Sequence, residues 1–467
     1  MKELKNKFIG DKAFYQKVLL IVIPMIIQNA ITNFVSLLDN IMVGKTGTDP
    51  MNGVAIVNQL FFVFYLCVFG AVSGAGIFSA QYYGKGDNEG VRDTFRGKLI
   101  LVGFVFILST ILFWFFGDTL ISLFLHETDG VGNAQKTLRF GHNYLRIMLI
   151  GILPYVLSAA YANTLRDTGE TVIPMKAGIT AVVVNLILNY ILIFGHFHAP
   201  RLGVEGAAVA TVISRFVEVG IIMIWTHTHT ERAAFIVGAY KSLIIPKTLF
   251  IQIIKKGTPL AINEALWSLG MTTLNQCYSI RGLSVVGAFN ISSTIINLFS
   301  VIYLALGESI SIIIGQHLGA NRMEQAKKED TQLIFFSVFV SVVIGVIMSF
   351  SRNAFPAIYN TEMEVKAIAS NLILVGSIFM PAWAFLHACY FTLRTGGKTL
   401  ITFAFDSVFA WFVEVPVIFC LAHFTSIPII MLYISCQGVE LLKALIGFIL
   451  VKKGIWLNNI VQNIELT

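Results

Sequence analysis

Long apolar runs separated by short polar loops fill the chain from end to end. Each run reaches about 20 residues, and at about 1.5 Å rise per residue such a helix crosses the roughly 30 Å hydrocarbon core of a bilayer. The apolar windows predict spans beginning near Val18, Gly53, Gly97, Phe140, Ile173, Val204, Gly257, Ser284, Thr331, Val365, Thr399 and Pro428. The pattern is that of an all-α membrane protein with about 12 transmembrane helices and no stretch left for a soluble domain.

The pattern also repeats. VIPMIIQN around Pro24 matches GTPLAINE around Pro259, and SAQYYG ending at Gly84 matches IIGQHLG ending at Gly319, both at an offset of about 235 residues. YANTLRDTGET around Arg166 matches CYFTLRTGGKT around Arg394 at a slightly shorter offset. Three anchors in one order imply a duplicated six-helix unit, with one lobe over residues 1–235 and the other over 236–467. An even number of helices per unit makes the halves parallel, so a central cleft and alternating access are expected. Pro24 and Pro259 occupy equivalent places and are candidate hinges, since proline removes a helical N–H and bends the helix. The small-residue run holding Gly70 and Gly74 reads as close helix packing.

Composition agrees. Of 467 residues, 13% are charged and 56% hydrophobic, a balance suited to lipid rather than water. The net charge of +7 does not point to nucleic acid, because its Lys and Arg residues are scattered among short loops. With both termini in the cytoplasm, roughly 23 of the 33 Lys and Arg lie on cytoplasmic segments and about seven on outer loops, as the positive-inside rule requires. This orientation is that of a multi-pass inner (cell) membrane protein. The five cysteines, Cys67, Cys277, Cys389, Cys420 and Cys436, all fall in apolar runs without metal spacing and read as small core residues. The basic N-terminus precedes a run too long and too polar, with Gln28, Asn29 and Asp39, for a cleaved signal, so a retained first helix is expected.

The segments LLDNIMVG, QYYGKGDNEGVR and LRDTGETVIP leading into VNLILNY, with their second-half counterparts, resemble the multidrug and toxic compound extrusion (MATE) family in its NorM/DinF-like branches, within the superfamily that includes lipid-linked oligosaccharide flippases. The resemblance covers essentially the whole chain. It implies a V-shaped, two-lobe antiporter exporting lipophilic, often cationic compounds in exchange for Na⁺ or H⁺. In NorM-like members an acid near the end of the first helix acts with asparagines of the fifth as the cation site, which here implies Asp39, Asn185 and Asn189. The second-half pattern departs: where some members carry a carboxylate on the tenth helix, this chain offers only His387, and instead places Glu264 on the seventh helix and Asp406 on the eleventh.

The intramembrane polar residues have their own chemistry. An ionised carboxylate at mid-membrane costs roughly 2.5–3.5 kcal/mol, and protonating an ordinary Asp at pH 7 costs about 4 kcal/mol. The two are comparable, so such a group is poised between a proton and a metal cation. Asn185 and Asn189, four residues apart, share one helix face and can converge with Asp39 on one cavity. Carboxylate and amide oxygens suit Na⁺ as well as a hydrogen-bonded protonated Asp, and apart from such an ion no metal is expected. Glu264, Asn263 and Asp406 lie at similar depth from the cytoplasmic side and are candidate substrate or proton ligands, with Glu308 near enough to join them. Glu414 is a further candidate for the cavity. Arg215 with Glu218, and Glu440 with Lys443, have helix-pair spacing and read as mutual neutralisation. Phe61, Phe62, Tyr65 and Trp267 are candidates to line an apolar cavity for flat cations. The histidine pairs His196/His198 and His227/His229 lack further metal ligands.

No phosphate-binding loop is present, so no nucleotide cofactor is expected, only the coupling Na⁺ or H⁺. A flippase would need a basic cavity that this sequence does not suggest. A membrane-embedded enzyme is disfavoured because HExxH and GxSxG are absent. The expected partners are small lipophilic cations and membrane lipids, with the monomer as the working unit.

Overall fold

The computed structural model describes residues 7–125 and 133–465. Twelve long helices follow the predicted windows: α1 (Lys12–Gly44), α2 (Thr48–Lys85), α3 (Asn88–Ser122), α4 (Ala134–Asp167), α5 (Val172–Phe194), α6 (Val204–Thr228), α7 (Lys247–Ser279), α8 (Leu283–Gly319), α9 (Met323–Ser351), α10 (Met363–Thr395), α11 (Thr399–Phe424) and α12 (Ile429–Lys452). Among the described residues, eleven are long and apolar enough to cross a membrane. The exception is α7, whose 33 residues have the length but include Lys255, Lys256, Asn263 and Glu264. Large side chains on the spans, among them Phe115 on α3, Phe350 on α9 and Phe412 on α11, are exposed. Apolar surface on this scale is tolerated only where lipid is the solvent.

The duplication is visible in the backbone. After α2, Gly86 takes φ +81°, and at the equivalent place after α8 Asn321 takes φ +59°. Both positions need the left-handed region, which glycine enters freely and asparagine more readily than other residues. The same closing bonds form around them: Asp87 N donates to Tyr82 O at 3.0 Å, and Arg322 N to His317 O at 2.9 Å. The third repeat behaves alike, with Gly169 N donating to Arg166 O and Gly397 N to Arg394 O, both at 2.9 Å. Helix packing repeats as well, since α4 packs on α3 and α6 as α10 packs on α9 and α12.

By packing, the chain divides into two compact units. One comprises Ile23–Ser79 and Asn88–Ile253; the other comprises the segment ending at Val22, Ala80–Asp87, and everything from Ile254 onward. We call them the first-half and second-half units. Inside the second-half unit the QxxG sequences of the repeat meet backbone to backbone: a methyl on Gly84 would strike the Gln316 carbonyl, and one on Gly319 would strike that of Gln81. The Gln81 side chain is buried there, its Nε2 donating to Thr395 O at 3.1 Å and its Oε1 accepting from Ile460 N at 2.9 Å. Inside the first-half unit Lys98, fully buried, reaches Asp167 Oδ2 at 2.7 Å and Thr164 Oγ1 at 3.0 Å.

Candidate functional site

Each unit holds a polar cluster that includes residues singled out in the sequence. In the first-half unit the cluster is built by α1, α5 and α6. One turn of α5 separates Asn185 from Asn189, so both amides project from one face. Asn189, 1% exposed, donates from Nδ2 to Asp39 Oδ1 at 2.7 Å and to Asn185 Oδ1 at 3.1 Å. Asn185 has two usable amide orientations. In one its Nδ2 faces Thr211 Oγ1 at 3.2 Å; in the other Nδ2 donates to both Asp39 oxygens, at 3.0 and 3.2 Å, while its oxygen accepts from Thr211. The Asn189 Oδ1 atom is buried and meets no protein donor. Asp39, Asn185 and Asn189 therefore come together as the sequence predicts, and Thr211 is added to them from α6.

This set offers a carboxylate, a free amide oxygen and a second amide that can present either atom. Oxygen toward Asp39 suits a cation lodged between them; nitrogen toward Asp39 suits the ionised carboxylate alone. Thr211 also lines a small cavity with Phe61, Phe64, Tyr65, Tyr155 and Arg215. Arg215 lies over the Tyr155 ring at 4.9 Å and pairs with Glu218 at 3.2 Å, as the helix spacing predicts. Of the other aromatics singled out in the sequence, Phe62 and Trp267 are exposed.

The second-half cluster is built by α7, α10, α11 and α12. Asn263, 1% exposed, is its hub: Nδ2 donates to Asp406 Oδ2 at 2.9 Å, and Oδ1 accepts from Ser407 Oγ at 2.7 Å. The neighbouring Glu264 accepts from the Tyr390 hydroxyl at 3.0 Å. Glu264, Asn263 and Asp406 thus belong to one network. Glu308 lies half-buried on α8, whose adjacent Gly307 abuts Phe391 beside Tyr390. His387 turns its Nδ1 to Trp383 O at 2.9 Å.

One pairing differs from the sequence reading. The i, i+3 spacing predicts Glu440 with Lys443, but the Lys443 ammonium crosses to α11 and sits 2.5 Å from Asp406 Oδ1. Tyr390 carries no spacing signal, because its partner Glu264 lies on another helix. The α11 backbone was also not foreseeable in detail. Its residues Ala404–Val408 and Ala410–Glu414 form wide π turns. Pro416 has no N–H for the Phe412 carbonyl, which removes the α-type bond there and favours a wider turn before it. The turns carry Asp406 and Glu414.

The candidate hinges sit inside their helices, Pro24 in α1 and Pro259 in α7. Pro24 falls two residues after Val22, where the first helix passes from the second-half unit to the first-half unit.

Comparison with known proteins gives the same duplicated extent. The chain is 25% identical over 423 residues to the "Probable multidrug resistance protein YoeA" of Bacillus subtilis, covering 89% of each. It is 24% identical over 435 residues to the "Probable multidrug resistance protein NorM" of Thermotoga maritima, covering 93% of this chain and 91% of that one. A crystal structure of a Vibrio cholerae MATE transporter shares the fold, with a TM-score of 0.85 at 17% identity over 95% of this chain and 97% of that one. The MatE family profile matches residues 24–191 and 259–420, one match in each half and each starting at a candidate hinge proline. The chain belongs to the MatE family of multi-pass membrane transporters, not to an enzyme family.

Proposed function

We propose that this transporter is a cation-coupled antiporter that exports lipophilic, often cationic compounds across the cell membrane, with both termini in the cytoplasm and the monomer as the working unit. The observation that carries the reading is half-buried Asp39 held by buried Asn189, whose own side-chain oxygen meets no protein donor. A carboxylate so placed is costly when bare, so a proton or Na⁺ that neutralises it changes the relative stability of the states it is exposed in. Two relatives named as multidrug resistance proteins, matched along most of the chain, support drugs as the cargo. Exchange of one monovalent cation for one H⁺ moves no net charge, and each unit of pH gradient then supplies about 1.4 kcal/mol, or about tenfold accumulation.

The test is transport by protein reconstituted in liposomes, with Na⁺ and pH gradients imposed separately. Asp39→Asn keeps the size and hydrogen bonding of the side chain but neither exchanges a proton nor supplies charge. It is expected to insert and bind substrate while losing gradient-driven transport. Wild-type transport with full gradient dependence in Asp39→Asn, at matched protein amount, refutes the assignment.

A further inference from the structure

A second buried acidic group lies in the second-half unit, away from the Glu264 bond and unused by the coupling scheme above. The second π turn of α11 ends at Glu414, which is 2% exposed. Its Oε1 accepts from Cys436 Sγ on α12 at 3.2 Å. Cys436, Glu440 and Lys443 follow at i, i+4 and i+7, so all three occupy one face of α12. Glu440 therefore lies one turn from the thiol that touches Glu414 and one turn from Lys443. The Oε2 atoms of Glu414 and Glu440 are both enclosed, and neither meets a protein donor.

The charges do not balance. Lys443 is engaged by Asp406 at 2.5 Å, which leaves Glu414 and Glu440 without a cation of their own. The other titratable groups facing them are Tyr278 from α7, Tyr303 from α8, and Tyr433 and Cys436 from α12. None supplies a fixed positive charge, and Asp406 adds to the negative side. Two carboxylates held near each other without a counter-ion do not both stay ionised in an apolar setting. The surroundings also choose the neutralising species. Val415, Ile418, Leu432 and Tyr433 pack in the adjoining core with Cys436, so the site offers a thiol, phenols and hydrocarbon instead of the array of oxygen ligands that a metal cation requires. A proton needs only one lone pair.

We propose that Glu414 and Glu440 form a second proton-holding site of this transporter, one proton being shared between them in the state described here. The site is separate from Asp39 and does not depend on whether Asp39 couples to Na⁺ or H⁺.

The experiment is infrared spectroscopy of the purified full-length protein in lipid nanodiscs at neutral pH, reading the C=O stretch of protonated carboxylic acids and its shift in D₂O. Glu414→Gln and Glu440→Gln, measured singly, are each expected to change that band, either by losing a one-acid share or by shifting that share in frequency as the remaining carboxyl holds the proton alone; the double variant is expected to lose the share, while Asp39→Asn retains it. The single variants decide the matter where the double variant does not accumulate. A band unchanged in both size and position in both single variants overturns the proposal. Bleaching of this share of the band by added NaCl at constant pH also overturns it, by assigning the site to a metal cation.

Discussion

Replacing Lys443 by Met tests how the second-half unit keeps Asp406 inside the membrane. The pair is enclosed, with side chains 7% and 15% exposed, so water screens it little. The substitution keeps the length and apolar stem of the side chain and deletes only the charge. Asp406 then retains the Asn263 amide at 2.9 Å but loses its counter-ion. Leaving one member of a buried pair uncompensated costs about 3–5 kcal/mol. The carboxylate has one escape, to take up a proton, and for an ordinary Asp that costs about 4 kcal/mol at pH 7, from about three pH units at 1.36 kcal/mol each. The penalty is thus capped near that value at pH 7. Below it, the cap falls by about 1.4 kcal/mol per pH unit, so the variant approaches wild type toward pH 5. Asp406→Asn in the same chain removes the orphaned charge and is expected to restore most of the loss. The assay is unfolding of wild type, Lys443→Met and the double variant in mixed micelles at several pH values. A penalty independent of pH, or a double variant no more stable than Lys443→Met alone, refutes the reasoning.

Other outcomes follow from the same structure. Gly319→Ala places a methyl against the Gln81 carbonyl, where backbone rather than a flexible side chain must yield; it is expected to cost at least about 1–3 kcal/mol and to lower the yield of monodisperse protein in detergent, and normal yield and thermal stability count against the close crossing. Glu264→Gln is expected to keep the fold, since glutamine still accepts from Tyr390, but to weaken transport of cationic compounds more than of neutral ones; equal transport of both at matched abundance returns Glu264 to a structural role. Single cysteines in place of Lys85 and Lys327 are expected to react with an impermeant reagent only after the membrane is opened. Labelling from outside intact cells overturns the orientation.

Much of this molecule is legible along the chain because lipid imposes a local rule. In hydrocarbon each segment must satisfy its own backbone, so span length and apolar runs show α1 to α12 without reference to packing. Duplication is likewise a property of the string, and the left-handed turns at Gly86 and Asn321 are its physical trace. Asn185 and Asn189 were within reach because they sit one turn apart on α5, where periodicity alone puts them on one face; the family resemblance joined Asp39 to them. In the second-half network common depth grouped Glu264, Asn263 and Asp406, but Lys443 and Tyr390 were out of reach, since Asp406, Lys443, Asn263 and Tyr390 stand on four helices. Which of them meet depends on how each helix is rotated about its axis, and on the wide turns of α11 that reset that rotation partway along. Sequence spacing pairs Lys443 with Glu440 on its own helix, while the packing of α12 against α11 gives it to Asp406. Rotation and register between helices are set by the fit of many side chains at once, and for that reason only the tertiary structure decided them.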